Sequence, residues 1–186
     1  MNIGFAMCGS FCTFSKIFPI MKSLQQEHTI IPIFSEATYS TDTRFGTASE
    51  HRAAAEEICG CPPLHRIAEV EPIGPRKLFD ILVIAPCTGN TLAKLAHGIA
   101  DGPVTMAVKS HLRNGRPVLI AISTNDALST AAENIARLMA KKHIYFVPYR
   151  QDDFKEKPFS MVADFALIPQ AMEAALKEVQ FQPVII

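Results

Sequence analysis

Short apolar runs alternate with helix-spaced apolar residues along the chain. Residues 3–8 (IGFAMC), 29–34 (TIIPIF), 80–85 (DILVIA), 117–123 (PVLIAIS) and 144–147 (IYFV) read as five buried strands. Phe14, Ile17, Phe18, Met21 and Leu24 recur at helical spacing over residues 11–26, and Pro19 inside that run predicts a kink or a break. Further helices are predicted over 48–58, 90–97, 102–112, 126–140 and 165–179. Ser35 to Thr47 is a polar connection. Residues 60–77, with Pro62, Pro63, Pro72 and Pro75, read as a loop-rich crossover with room for one short strand. Asn114-Gly115 marks a turn, Pro148 to Pro158 a surface loop, and the closing QPVII a tail that is free or packs on a neighbour.

Strands this continuously apolar are buried on both faces. Their alternation with helices predicts an α/β fold: a three-layer α/β/α, Rossmann-like (flavodoxin-like) doubly wound parallel sheet, formed as one domain over residues 1–186. In such sheets ligands bind beyond the carboxyl ends of the strands. The loops that matter are then Gly9-Ser10, Ser35 to Gly46, Pro86 to Asn90 and Ser123 to Asp126.

Eighteen Lys and Arg balance eighteen Asp and Glu. A neutral chain has no general attraction for nucleic acid or an anionic membrane surface, so neither is expected as a partner. No apolar run reaches the roughly 18 residues of a membrane helix, and no basic segment precedes a signal-type run, so a cytoplasmic protein is expected. Five cysteines are an odd number and suit a reducing compartment as free thiols. The groups Cys8/Cys12 and Cys59/Cys61/His65 lack the usual zinc spacing, and no metal site is expected. Cys87 reads as a small packing residue.

Gly4 to Ser10 (GFAMCGS) mimics the spacing of a phosphate-binding P-loop. It lacks the lysine that triphosphate hydrolysis needs, and it is not the dinucleotide pattern G-x-G-x-x-G. What remains is a Gly-Ser turn opening a helix. It suits one phosphate through backbone N–H groups and a hydroxyl, or else Ser10 is simply a helix cap. Ser35 can add a hydroxyl to the same phosphate. Glu36 can meet a ribose or be solvated.

The most informative segment runs from Ala85 to Asp101 (APCTGNTLAKLAHGIAD). Its small residues let backbone approach a flat ligand, and Asn90 and Thr91 can hydrogen-bond it or cap the helix. This segment resembles the P-x-S-A-N-T-L-A-K-I-A-x-G-x-x-D pattern of the flavoproteins that include phosphopantothenoylcysteine decarboxylases, flavin prenyltransferases and lantibiotic decarboxylases. The resemblance covers nearly the whole chain and implies non-covalent FMN and a homo-oligomer assembled from trimers. By that resemblance Gly9 and Ser10 match the first phosphate loop, and Ser35 and Ala37 the second. Pro86, Thr88, Gly89, Asn90, Thr91 and Ser123 complete the implied cofactor set, and Asn125 matches an Asn of the decarboxylases. The chain departs from them where Pro72 replaces a catalytic His and where Leu128 and Ser129 replace Met and Trp. A later Cys-bearing flap has no match after residue 129. These departures argue against decarboxylation of a cysteine derivative.

Thr43 to Gly46, Glu71 to Pro75, Leu112 to Val118, Ile122 to Leu128, Asn134 to Met139, and Tyr145 to Pro148 with Gln151 to Asp153 and Lys157-Pro158 are similar to one branch of that family, the B subunits of dipicolinate synthase from spore-forming bacteria. The branch implies an oxidoreductase step from dihydrodipicolinate to dipicolinate, carried out with an A subunit. For a small dicarboxylate substrate, Arg44, Lys109 and Arg113 are the candidate anchors, each with a solvated or ion-paired alternative. Asn125 can bond substrate or flavin, or cap the next helix. Asp126 or His111 is the candidate base. The rival readings are a non-catalytic assembly subunit of the same complex, and an FMN-binding decarboxylase-like or prenyltransferase-like protein.

Overall fold

In the computed structural model, which describes residues 1–186, the apolar runs form β1 (Asn2–Met7), β2 (Thr29–Phe34), β3 (Ile81–Cys87), β4 (Val118–Thr124) and β5 (Ile144–Phe146). These pair in parallel in the order β2-β1-β3-β4-β5. That is a doubly wound order whose direction of winding reverses between β1 and β3. Strand β3 is buried at every residue, as its unbroken apolar run requires. Helices α1 (Phe14–Gln25), α2 (Glu36–Ser40), α3 (Ala48–Cys59), α4 (Ile67–Val70), α5 (Ile73–Arg76), α6 (Gly89–His97), α7 (Pro103–Leu112), α8 (Ala132–Met139) and α9 (Ile168–Leu176) connect and flank the strands. The buried apolar side chains form one cluster of 47 residues, so a single core runs through all layers.

The differences from the sequence expectation have local causes. Helix α1 continues through Pro19. The proline and Ser15, whose carbonyl loses its donor to the ring, both face solvent. The crossover before β3 holds two short helices, α4 and α5. In place of a strand it has a strap at Leu64, which bonds the backbone of β2 at Pro32 and Phe34 (2.9 and 2.8 Å). The predicted helix 126–140 begins six residues late. Asp126 holds the segment in a turn by accepting the Ser129 and Ala131 amides on its carbonyl, at 3.0 and 3.1 Å, before α8 can start.

The expected surface loop after Pro148 contains β6 (Tyr149–Gln151), which pairs antiparallel with β7 (Met161–Ala163). Strand β7 pairs in turn with Ser123 and Thr124, so β4 has β5 along its first half and β7 along its second. The sheet is therefore mixed and seven-stranded, with a parallel body and an antiparallel hairpin at the carboxyl end of β4. The hairpin stands where the decarboxylase flap was expected to be missing, and it carries no cysteine. The tail packs on its own chain. Val184 and Ile186 bond Tyr149 of β6 at 3.0 and 3.1 Å.

Gly74 shows how tightly the crossover is seated. A Cβ there would lie 2.5 Å from the backbone oxygen of Ser110 on α7, an atom that cannot swing aside. Asn114 also donates to the Gly74 carbonyl at 2.8 Å. Gly74→Ala is expected to lower unfolding free energy by about 1–3 kcal/mol, read by urea denaturation, because overpacking against fixed backbone forces a shift of α5.

Candidate functional site

A cleft of about 680 Å³ opens at the carboxyl ends of β1, β2 and β3. That volume is within the usual range of a cofactor site. Its walls are the turn after β1, helix α2, the start of α6, and the segment from Asp101 to Thr105 that begins α7. Six of the ten cofactor residues expected from the sequence line it: Gly9, Ser35, Ala37, Thr88, Asn90 and Thr91.

The other four stand behind or beside the wall. Ser10 does not cap the 3-10 turn that follows it. Its hydroxyl is 2.8 Å from that of Ser123, which ties the end of β1 to the end of β4 across β3. The Pro86 carbonyl accepts the Cys8 amide at 3.1 Å. Gly89 is the first residue of α6, and its amide donates to the Thr124 hydroxyl at 3.1 Å. Among the six that do line the cleft, Ser35 caps α2 by accepting the Thr38 amide at 3.2 Å, so its hydroxyl serves the helix as well as the cleft.

Most of the polar groups that line the cleft are neutral, with Glu36, Lys94 and Asp101 the charged ones. Thr88 precedes α6 but its side chain caps nothing, lying instead 3.3 Å from the Thr91 hydroxyl. The Thr124 hydroxyl takes the Gly89 amide, and the next amides of α6, at Asn90 and Thr91, meet the cleft without a side-chain cap, at the positive end of the helix dipole. Helix α7 also begins on the cleft, where Gly102 donates to Thr105 at 3.2 Å. At Gly9 a Cβ would lie 3.3 Å from the Phe11 ring and 3.6 Å from Ala37. A bare backbone at that point keeps the cleft open where a phosphate can reach amide groups. Small residues, hydroxyls and uncapped amides are the donor set that a flat, phosphate-bearing cofactor needs.

Two charged residues within the Ala85 to Asp101 segment were not singled out by sequence reasoning. Lys94 donates to both carboxylate oxygens of Asp101, at 2.9 and 3.0 Å, and both residues line the cleft. That hydrogen bond from the Lys94 ammonium holds the Asp101 carboxyl below its ordinary value. Gly98, at φ 73°, ends α6 and turns the chain back so that the pair can form. Below the cleft, the Thr91 hydroxyl donates to the Cys8 sulfur at 3.3 Å. A hydrogen bond from Cys87 keeps the Cys8 thiol below its ordinary value against its burial. Burial, with Cys8 beside it, pushes Cys87 well up. No three His, Cys, Asp or Glu side chains are grouped to hold a metal ion. No helix is long and apolar enough to cross a membrane.

The expected catalytic and substrate residues are only partly brought together. Asn125 is exposed in the turn after β4 and caps no helix. Asp126 is beside it, but both carboxylate oxygens are engaged, by Thr124 at 2.5 Å and Thr130 at 2.7 Å. Partial burial raises its carboxyl, and those two hydroxyls outweigh the burial and bring it below the ordinary range. Arg44 is exposed, three residues beyond Thr41 of the cleft, with its guanidinium 4.8 Å above the Phe45 ring. His111 does not reach this end of the molecule. It continues the buried face of α7 formed by Val104, Ala107 and Val108, and its Nε2 lies 3.1 Å from the Pro117 carbonyl at the start of β4. Lys109 and Arg113 are exposed at that same far end of α7, so within one chain they do not meet the cleft.

The Flavoprotein family model matches residues 1–177. The chain belongs to the flavoprotein family. This flavoprotein is 44% identical over 186 residues to the dipicolinate synthase B subunit of Bacillus subtilis, covering 100% of this chain and 93% of that one. It is similar to the crystal structure of the dipicolinate synthase B subunit from Bacillus halodurans, with a TM-score of 0.91 and 42% identity over 100% of this chain and 95% of that one. It shares its fold with DmrB of Burkholderia xenovorans, solved in complex with FMN, at a TM-score of 0.70 and 16% identity over 95% of each chain.

His111 provides a test of the far end. Burial lowers its pKa to about 4, below the roughly 6.5 of the unfolded chain. Between these values the unfolded state binds the proton and the folded state does not. Stability is therefore expected to fall as the pH drops from about 6.5 to about 4, by at most ~1.4 kcal/mol per unit from this residue. Urea denaturation across that range should show a flatter dependence in His111→Gln.

Proposed function

We propose that this flavoprotein is the B subunit of a dipicolinate synthase, binds FMN non-covalently in the cleft, and acts with an A subunit to convert dihydrodipicolinate to dipicolinate. The full-length match at 44% identity carries this reading. The donor set of the cleft supports the cofactor. Assembly as a homo-oligomer built from trimers and a cytoplasmic location belong to the same proposal.

Bound FMN supplies a two-electron acceptor for removal of hydrogen from the substrate. The chain's own part is to hold and orient. Gly9, the Ser35 and Thr88 hydroxyls and the amides at the start of α6 receive the cofactor. Asn125, free of other partners in its turn, can hydrogen-bond substrate beside Ser123. Of the three cations expected to bind carboxylate, Arg44 is at the right end of the sheet.

One observation favours the assembly-subunit reading for the proton step. Asp126 is fully hydrogen-bonded and His111 is remote, so neither candidate base stands free at the cleft. In that reading the A subunit supplies the base, while the cofactor site stays here.

The test is the absorbance spectrum of the purified protein with FMN, followed by turnover of dihydrodipicolinate with and without the A subunit. Flavin bands that survive gel filtration are expected, and Gly9→Val should abolish them by filling the gap against Phe11 and Ala37. Arg44→Ala should raise KM for dihydrodipicolinate about tenfold or more while flavin binding holds, as for loss of a charge-assisted hydrogen bond. A colourless protein that ignores added FMN would overturn the cofactor assignment. Flavin binding without turnover, even when the A subunit is present, would overturn the reaction.

A further inference from the structure

We propose that Asp126 is a positioning residue: through the Thr124 hydroxyl it fixes where helix α6 begins at the wall of the cleft. The consequence for the cofactor rests on the FMN reading above, whereas the relay itself does not.

Proton direction sets the order of the relay. A threonine hydroxyl has a single proton. That of Thr124 goes to Asp126 Oδ1 at 2.5 Å, which leaves its oxygen to accept the Gly89 amide at 3.1 Å. The carboxylate has no proton to return, so the order Gly89 to Thr124 to Asp126 cannot reverse. The second carboxylate oxygen is held by the Thr130 hydroxyl at 2.7 Å, and the Asp126 carbonyl accepts the amides of Ser129 and Ala131. Asp126 is thus clamped from its own turn before it reaches across to α6.

The fit at Gly89 is close. A Cβ at that position would fall 2.6 Å from Asp126 Oδ1 and 2.8 Å from Thr124 Oγ1. The missing side chain lets the helix start press directly against the relay. Thr88 provides no side-chain cap, so the relay is what engages the first amide of α6, and the next amides are left to the cleft. A carboxylate behind the amino end of the helix also complements its dipole. Asp126 therefore acts through Thr124 on the cofactor wall, with both carboxylate oxygens engaged in holding that turn.

Amide hydrogen exchange at Gly89 in the full-length apoprotein reads the relay, and FMN affinity reads its effect. In Thr124→Val and Asp126→Ala, Gly89 exchange is expected to quicken about tenfold or more and the FMN Kd to rise about tenfold. Thr124→Ser, which keeps the hydroxyl, should bring both back to within about threefold of the original protein. Unchanged exchange in both disrupting variants would overturn the relay. Faster exchange with an unmoved FMN Kd would overturn the positioning role and leave a merely structural turn. If the original protein takes up no FMN, the cofactor reading fails separately, and exchange at Gly89 still decides the relay.

Discussion

Neighbouring parallel strands cannot be joined by a tight turn, because each must send its chain back over a face of the sheet before the next begins. Every strand-to-helix turn of the parallel body therefore falls at the same end. In this flavoprotein the constraint gathers Gly9, Ser35, Thr88 and Asn125, residues separated by more than a hundred positions, around the ends of four strands. The central strands are too deeply buried to carry polar chemistry along their length, so polar groups appear where the strands emerge. The bond between Ser10 and Ser123 passes over β3 and joins the outer two of three successive strand ends.

Three of the charged groups around this site are already committed. Lys94 is paired with Asp101, and Asp126 is bound by two hydroxyls. Hydroxyls and backbone amides, with the unpaired Glu36 carboxylate, are what remain to meet a ligand, and the hydroxyls and amides discriminate by geometry more than by net charge.

The parallel body was legible because each of its strands is a continuous apolar run, and the loops that line the cleft followed from where those runs stop. The hairpin was not. Strands β6 and β7 have three residues each, and Arg150 and Gln151 face solvent, so no period marks them until Ser123 and Thr124 supply a partner. Lys94 and Asp101 were visible as residues but not as a pair, since only the turn at Gly98 brings them together. His111 carried a usable signal: it follows Val104 and Val108 at helical spacing, which places it on the inward face of α7. The late start of α8 came from Asp126, whose turn-forming bonds compete with the helix that the apolar pattern favours.

The strap at Leu64 and the tail at Val184 to Ile186 lie on opposite borders of the sheet. Strand β2 is bordered by Leu64 and contains Pro32, which has no amide hydrogen to offer. Strand β6 is bordered by the tail. Neither of these margins presents a row of open backbone groups, and on β5, a third margin, the Gln180 side chain accepts the Phe146 amide and donates to its carbonyl, at 2.8 and 2.7 Å, so an extended peptide or a second copy finds little template on which to continue the sheet. Association between copies is thereby turned toward helices, loops and side chains, where shape can be matched and growth can close on itself.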